Sequence, residues 1–446
     1  MFTVGAGLNY IKMPYPVPLA GYQARAELAE TQNDPLCARL LTVEGDGGSV
    51  AIVVLDVLYV DSDLTDLLRA AVSAQTSIPP SSVMVCSTHT HSGPGLIFPN
   101  SNRYDSSIVD SIITAVSEAA GRAWSMRTAC ELSWASGDIV GVASIRNGVT
   151  GEAGPANQAL RVAEFRSVDR NLAGVPRFVA RAINFGCHAT VLGPGNALVS
   201  RDWPGFMVDA CEEQLRRAGV QRPFVIFLNG AAADVSTRYT RKAQTFEEAA
   251  RLGRMSADQV FDVFASSGPS RTCHVCLKHE SISIPRRQLP SEHCALAAIS
   301  REEREAHRLA SCGGSPLALK EALDRAAAWR IVLNRIRHEH GRPRNPLVAH
   351  LCLLRLGDLA MVFVPGEAPA KLGDKIRATV AEGASAPEES VWVVGYSNGH
   401  LGYISPMRAG PDGYEQLMCD LAPEATEEIL TAVARLSSKG MCVDQC

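Results

Sequence analysis

Val85-Cys86-Ser87-Thr88-His89-Thr90-His91-Ser92-Gly93-Pro94-Gly95 is the stretch on which the fold turns. The apolar run from Ser82 to Val85 reads as a buried strand, and the chain then breaks into a Ser-Gly-Pro-Gly turn. Residues i and i+2 of an extended chain point the same way, so His89 and His91 face one space at the strand's carboxyl end. Open α/β sheets place their sites at such ends. Imidazole is also the common nitrogen ligand of zinc.

Outward from this stretch, strand and helix patterns alternate. Strands are expected over Ser49–Tyr59, Ser82–Ser87, Leu132–Ile139, Gln158–Arg166, Pro176–Phe185, Phe224–Leu228, Thr272–Ile284 and Ser390–Val394. Leu347–Leu356 and Leu359–Val364 form a hairpin about Gly357-Asp358. Helices are expected over Ser62–Ala74, Ser107–Trp124, Asp202–Ala218, Phe246–Phe264, Ser300–Ala310, Ala318–Arg337, Ala368–Gly383 and Ala425–Ser437. Residues 285–316 are the weakest join and read as an insertion. The expected architecture is α/β: one large mixed-sheet domain over 1–446, with helices packed around it and an active site at strand carboxyl ends.

Composition narrows the class. The 446 residues are 46% hydrophobic, enough for a large core, and the net charge is only -4. Lys and Arg are scattered, so neither nucleic acid nor an acidic membrane surface is an expected partner. No apolar run reaches the roughly 18 residues of a membrane span. The start, Met1 to Gly21, lacks a basic segment followed by an apolar block. The 13 cysteines are odd in number and often lie in apolar runs (Cys86, Cys187, Cys352), which reads as buried thiols of a cytoplasmic protein.

Four further clusters also place reactive side chains just past apolar strands. His188 follows Ile183-Asn184-Phe185, and Asp234 and Ser236 follow Phe227-Leu228-Asn229. Glu367 follows Val362-Phe363-Val364 at a helix start, and Tyr396 and Tyr403 follow Val393-Val394. Each alone has an ordinary reading, as a helix-dipole partner or a turn residue. Their joint recurrence at strand ends points to one site.

The Thr-His-Thr-His-Ser-Gly-Pro-Gly run resembles the signature of the neutral/alkaline, non-lysosomal ceramidases. The opening Val4-Gly5-Ala6-Gly7 to Gly21-Tyr22, Asp56, Asp234-Val235-Ser236, Pro365-Gly366-Glu367 and Gly402-Tyr403-Ile404 follow in that family's order over nearly the whole chain. The resemblance implies a zinc-dependent amidase in which a zinc-activated water attacks an N-acyl amide. It implies His89, His188, Glu367 and Tyr403 as metal ligands, and His91, Arg146 (in Ser144-Ile145-Arg146-Asn147), Ser236 and Tyr414 on the substrate side. Asp234 is expected to orient a ligand from behind. The spacing from Tyr403 to Tyr414 is one residue shorter than in the family.

Chemistry supports the carry-over. Two imidazoles and a carboxylate are a common catalytic zinc set that leaves room for water. Zinc lowers the pKa of such a water to ~7.

The chain also departs from the family. Leu96-Ile97-Phe98-Pro99 and Ala189 stand where ceramidases carry other residues, and the C-terminal sandwich domain of larger members has no room here. The expected substrate is therefore a ceramide-like or smaller N-acyl amide. The same site acting on an ester or lactone, or forming an amide bond, stays open, as does a non-catalytic binding protein. A serine mechanism lacks its Gly-x-Ser-x-Gly elbow around Ser236. Cys273-His274-Val275-Cys276 lacks the second pair of a zinc knuckle, and His400 is a candidate for the pocket wall.

Overall fold

Strand Gly48–Leu55 is buried on both faces, which explains its unbroken apolar run. Ile52 and Val54 point into one core, while Ala51, Val53 and Leu55 point into another. The computed structural model describes residues 1–22, 25, 27–96, 105–146, 154–155, 159–170, 176–339, 343–404 and 414–438. Its larger, nine-stranded sheet runs in the order Val225–Asn229, Pro176–Phe185, Ala159–Arg170, Thr128–Asp138, Phe2–Tyr10, Cys37–Gly45, Gly48–Leu55, Val83–Ser87, with Gly268–Pro269 added onto Thr128–Asp138. The outermost pair at each edge is parallel and the pairs between them are antiparallel, so the sheet is mixed, as expected.

A second, four-stranded sheet lies face to face with the first. It comprises Val275–Ile284, Leu347–Leu356, Leu359–Phe363 and Val391–Val394, the last pair parallel. The core between the sheets sets Leu41, Ile52, Met84 and Phe165 against Leu354, Met361, Phe363 and Trp392. Helices Ser62–Thr76, Ser106–Ser125, Asp202–Arg217 and Phe246–Phe264 cover the outer face of the larger sheet. Ala370–Ala384 and Ala425–Ser437 cover the smaller one. The layers are thus helix, sheet, sheet, helix.

Several helix starts follow from their caps. Asp61 accepts from Leu64 N (3.0 Å), and Asp105 from Ser107 N (3.1 Å). Asp202, expected near a cap, does more: in a left-handed conformation (φ 56°), its carboxylate takes Val191 N, Leu192 N and Trp203 N. The expected 300–310 helix instead starts at Glu292, because Ser291 caps it by accepting from Cys294 N (3.2 Å). It pairs with Pro316–Glu339 as a helical hairpin whose Ala298, Ile299, Trp329 and Val332 form a small core of their own.

Strands Phe2–Tyr10 and Cys37–Gly45 were not among the expected elements. In the first, Gly5 and Gly7 lower strand propensity, and here they serve packing. A methyl at Gly5 would sit 1.9 Å from Ala123 O, and one at Gly7 2.0 Å from Ala119 O. The helix Ser106–Ser125 therefore rests directly on the strand backbone.

No helix among the described residues is long and apolar enough to cross a membrane. Ten described cysteines are free, with Cys86, Cys187 and Cys352 buried. Cys276 is disulfide-bonded, so the expectation of thiols throughout is corrected at that residue.

Two outcomes check this fold. Gly7→Val lowers stability by about 3 kcal/mol in denaturant unfolding, because the clash is with backbone. Gly195→Ala, whose methyl meets nothing within 4 Å, leaves the midpoint unchanged. Thiol titration of the denatured, non-reduced chain yields at least the ten free thiols, and a count well below that contradicts the arrangement.

Candidate active site

The larger sheet curls until its two edges meet. Asn229, at the end of one edge strand, is fully buried; its Nδ2 donates to Thr88 O (3.1 Å) past the other edge strand and to Cys187 O (3.3 Å). Its Oδ1 accepts from Cys187 N (3.2 Å), and its carbonyl accepts from Gly395 N (3.0 Å) beyond the smaller sheet. Thr90 bridges Ala189, and Ser87 N donates to Tyr396 O (3.1 Å). The carboxyl ends of both sheets thereby surround one space.

His89, His91 and His188 converge there, with one ligand nitrogen from each within 4.8 Å of the others. The Nδ1 of His89 donates to Leu58 O (2.7 Å), and that of His188 to Ala232 O (2.7 Å) and Val235 O (3.1 Å). A carbonyl can only accept, so Nδ1 carries the proton and Nε2 keeps its lone pair. Both Nε2 atoms face Glu367, at 3.5 Å from His89 and 3.3 Å from His188. Glu367 Oε2 is buried and has no hydrogen-bond partner. Burial acts to raise the Glu367 carboxyl, but His89 and His188 outweigh it and hold it well below the ordinary carboxylate range. Burial, with Arg146 adding to it, pushes His188 down to about 4.

His91 differs from its neighbours. Its Nε2 lies 3.3 Å from His89 Nε2, but its Nδ1 is buried and unbonded. Burial and the two other imidazoles hold it well below the usual histidine range. Metal-ligating histidines almost always donate their second nitrogen to a fixed acceptor. His89 and His188 meet that condition and His91 does not.

The remaining expected residues line the same space. Glu367 and Tyr403 are paired in a parallel bridge, and Tyr403 stands edge-on to Tyr414, with ring centroids 6.4 Å apart. Arg146 is anchored by its N–H to Asp234 O (2.7 Å), and its Nη2 reaches Ala233 O, His188 Nε2 (3.5 Å) and Glu415 (3.3 Å). Burial opposes the Arg146 charge, but Glu415 and the other anionic groups more than restore it. Ser236 bridges His188 and is buried, its Oγ accepting from Arg238 N (3.3 Å).

Asp234 is buried beside these residues. Its carboxylate accepts from Ala370 N (2.8 Å), pinning a helix start, while backbone carbonyls orient the histidines. His400 stacks on Tyr59 (4.1 Å between centroids). Residues 97–104, which include the Ile97-Phe98-Pro99 that departs from the family, and residues 405–413 lie outside the described residues.

The sequence reading places Tyr396 among the strand-end side chains but in neither the metal nor the substrate set. Its ring stacks on His89 (4.1 Å) and it is 1% exposed, with its hydroxyl unbonded. His89, Tyr396 and Asn398 all have positive φ (64°, 51° and 58°), and strained backbone of this kind clusters at functional sites. Gly-Tyr-Ser-Asn after a strand reads as a turn, which gives no sign of the stacking on His89.

No protein-family model and no curated protein matches the sequence. Solved structures do. Neutral ceramidase from Pseudomonas aeruginosa superposes with a TM-score of 0.75 at 17% identity, over 98% of this chain and 74% of that one. A ceramidase complexed with C2 gives 0.73 at 15% identity, over the same shares. The chain has the neutral ceramidase fold.

Proposed function

We propose that this chain is a zinc-dependent amidohydrolase that cleaves an N-acyl amide of ceramide-like or smaller size. The observation that carries this reading is the pair of preset Nε2 lone pairs, on His89 and His188, facing a carboxylate oxygen of Glu367 that has no partner of its own. A buried carboxylate oxygen left without a donor is costly, and a cation relieves it. Two imidazoles and a carboxylate are a donor set that suits zinc, and the Tyr403 phenol, on which the Glu367 charge acts, completes it. Zinc bound there would supply an activated water and polarise the scissile carbonyl.

The chain's own groups supply the rest. His91, kept neutral by burial, accepts a proton from the attacking water at Nε2. Arg146 stays charged and stabilises the oxygen that gains charge as the amide becomes tetrahedral, with Tyr414 donating beside it. Ser236 holds the bridge next to His188 and contributes binding rather than a covalent bond. The neighbouring folds named as ceramidases favour a lipid-like acyl group. Ten free thiols, set against the one disulfide-bonded residue Cys276, favour residence in a reducing compartment, the cytoplasm.

Elemental analysis of purified protein finds about one zinc per chain, and His188→Ala and Glu367→Gln lose most of it. His91→Ala keeps its zinc, which separates it from the ligands. Zinc retained by all three variants refutes the assignment. In a screen of N-acyl amides of graded chain length, Arg146→Ala and His91→Ala lower kcat/KM by roughly 10²-fold or more with metal retained. An acyl group trapped on Ser236 by acid quench would replace this mechanism with a serine nucleophile.

A further inference from the structure

A second polar cavity lies behind the turn that orients His188. Arg161, Asn184, Gly186, Gly230, Ala370 and Arg377 contribute to its wall. Arg161, on strand Ala159–Arg170, is 6% exposed, and its Nε is buried without a hydrogen-bond partner. Among the described residues no carboxylate pairs with it; Glu389, Glu388 and Asp138 act on it only from beyond ion-pair distance. Arg377, 9% exposed, enters the same cavity from helix Ala370–Ala384, and its ion pair is with Asp374 on its own helix. The start of that helix is held by Asp234, whose carboxylate accepts from Ala370 N (2.8 Å), so the positive field in the cavity is that of the two guanidiniums.

Two guanidiniums facing one small cavity repel each other. Burial and Arg377 together push Arg161 down to about 9, which still leaves it charged at neutral pH. A buried charge without a partner is costly, and a water molecule solvates it without neutralising it. The cavity admits an occupant of about the size of a water molecule, too small for a metabolite.

We propose that this cavity is a binding site for a small monatomic anion of the chloride type, held between Arg161 and Arg377 at the start of helix Ala370–Ala384. The site stands apart from the hydrolytic reading and involves none of its residues. Its occupant braces the turn at Ala231, whose next two carbonyls hold His188 and Arg146.

Thermal unfolding of the full chain at fixed ionic strength, with chloride replacing gluconate, tests it. The wild type gains a saturable rise of roughly 1–2 °C, and Arg161→Met, which keeps the stem and removes the charge, gains none. Equal responses in the two proteins, or none in either, overturn the proposal. A rise with phosphate or acetate in place of chloride overturns the monatomic occupant. Should the variant fail to fold, wild-type crystals soaked in bromide decide. Anomalous density between Arg161 and Arg377 supports the site, and bromide bound elsewhere with none there refutes it.

Discussion

Asn229 is the joint on which the site depends. One buried carboxamide and its own backbone carbonyl hold the ends of three strands, and the residues just beyond them are His89, His188 and Tyr396. A buried polar group of this kind is costly to leave unpaired, so the curl of the larger sheet and the convergence of the site are fixed together. The two edges of that sheet are far apart in strand order and adjacent in space.

The histidines are aimed by the same logic. No side-chain carboxylate sets their tautomers; the carbonyls of Leu58, Ala232 and Val235 do. Ala232 and Val235 lie in the segment that Asn229 and Asp234 hold in place. Burial keeps His188 neutral against the pull of Glu367, while the imidazoles hold Glu367 ionised against its own burial.

Much of this was legible in the sequence, for a physical reason. A strand buried on both faces is an unbroken apolar run, so polar residues at its end stand out, as His89, His188 and Glu367 do. The second sheet was not legible as a separate layer. The unbroken apolar run over Leu359–Phe363 says that both faces are covered but not by what, and the shared core of Trp392 and Met84 joins residues remote in sequence. Phe2–Tyr10 escaped because its glycines serve a helix, and Arg161 because one arginine in an alternating strand reads as solvent-facing. The unusual spacing at Tyr414 did not prevent its meeting Tyr403, since the short helix Tyr414–Met418 carries it there.

That short helix rests on the helical hairpin, where Leu417 packs with Trp329 and Leu333, and Asp420 just beyond it gathers Arg286, Arg335 and Arg344. His89, His188 and Glu367 stand just past strand ends locked between two layers, whereas Tyr414 and its neighbour Glu415 stand on an appendage to them. The two halves of the site therefore have separate foundations. Drift in the length or surface of the hairpin moves the tyrosine and the partner of Arg146 while leaving the imidazoles untouched, so one wall of the space can be reshaped without disturbing the other.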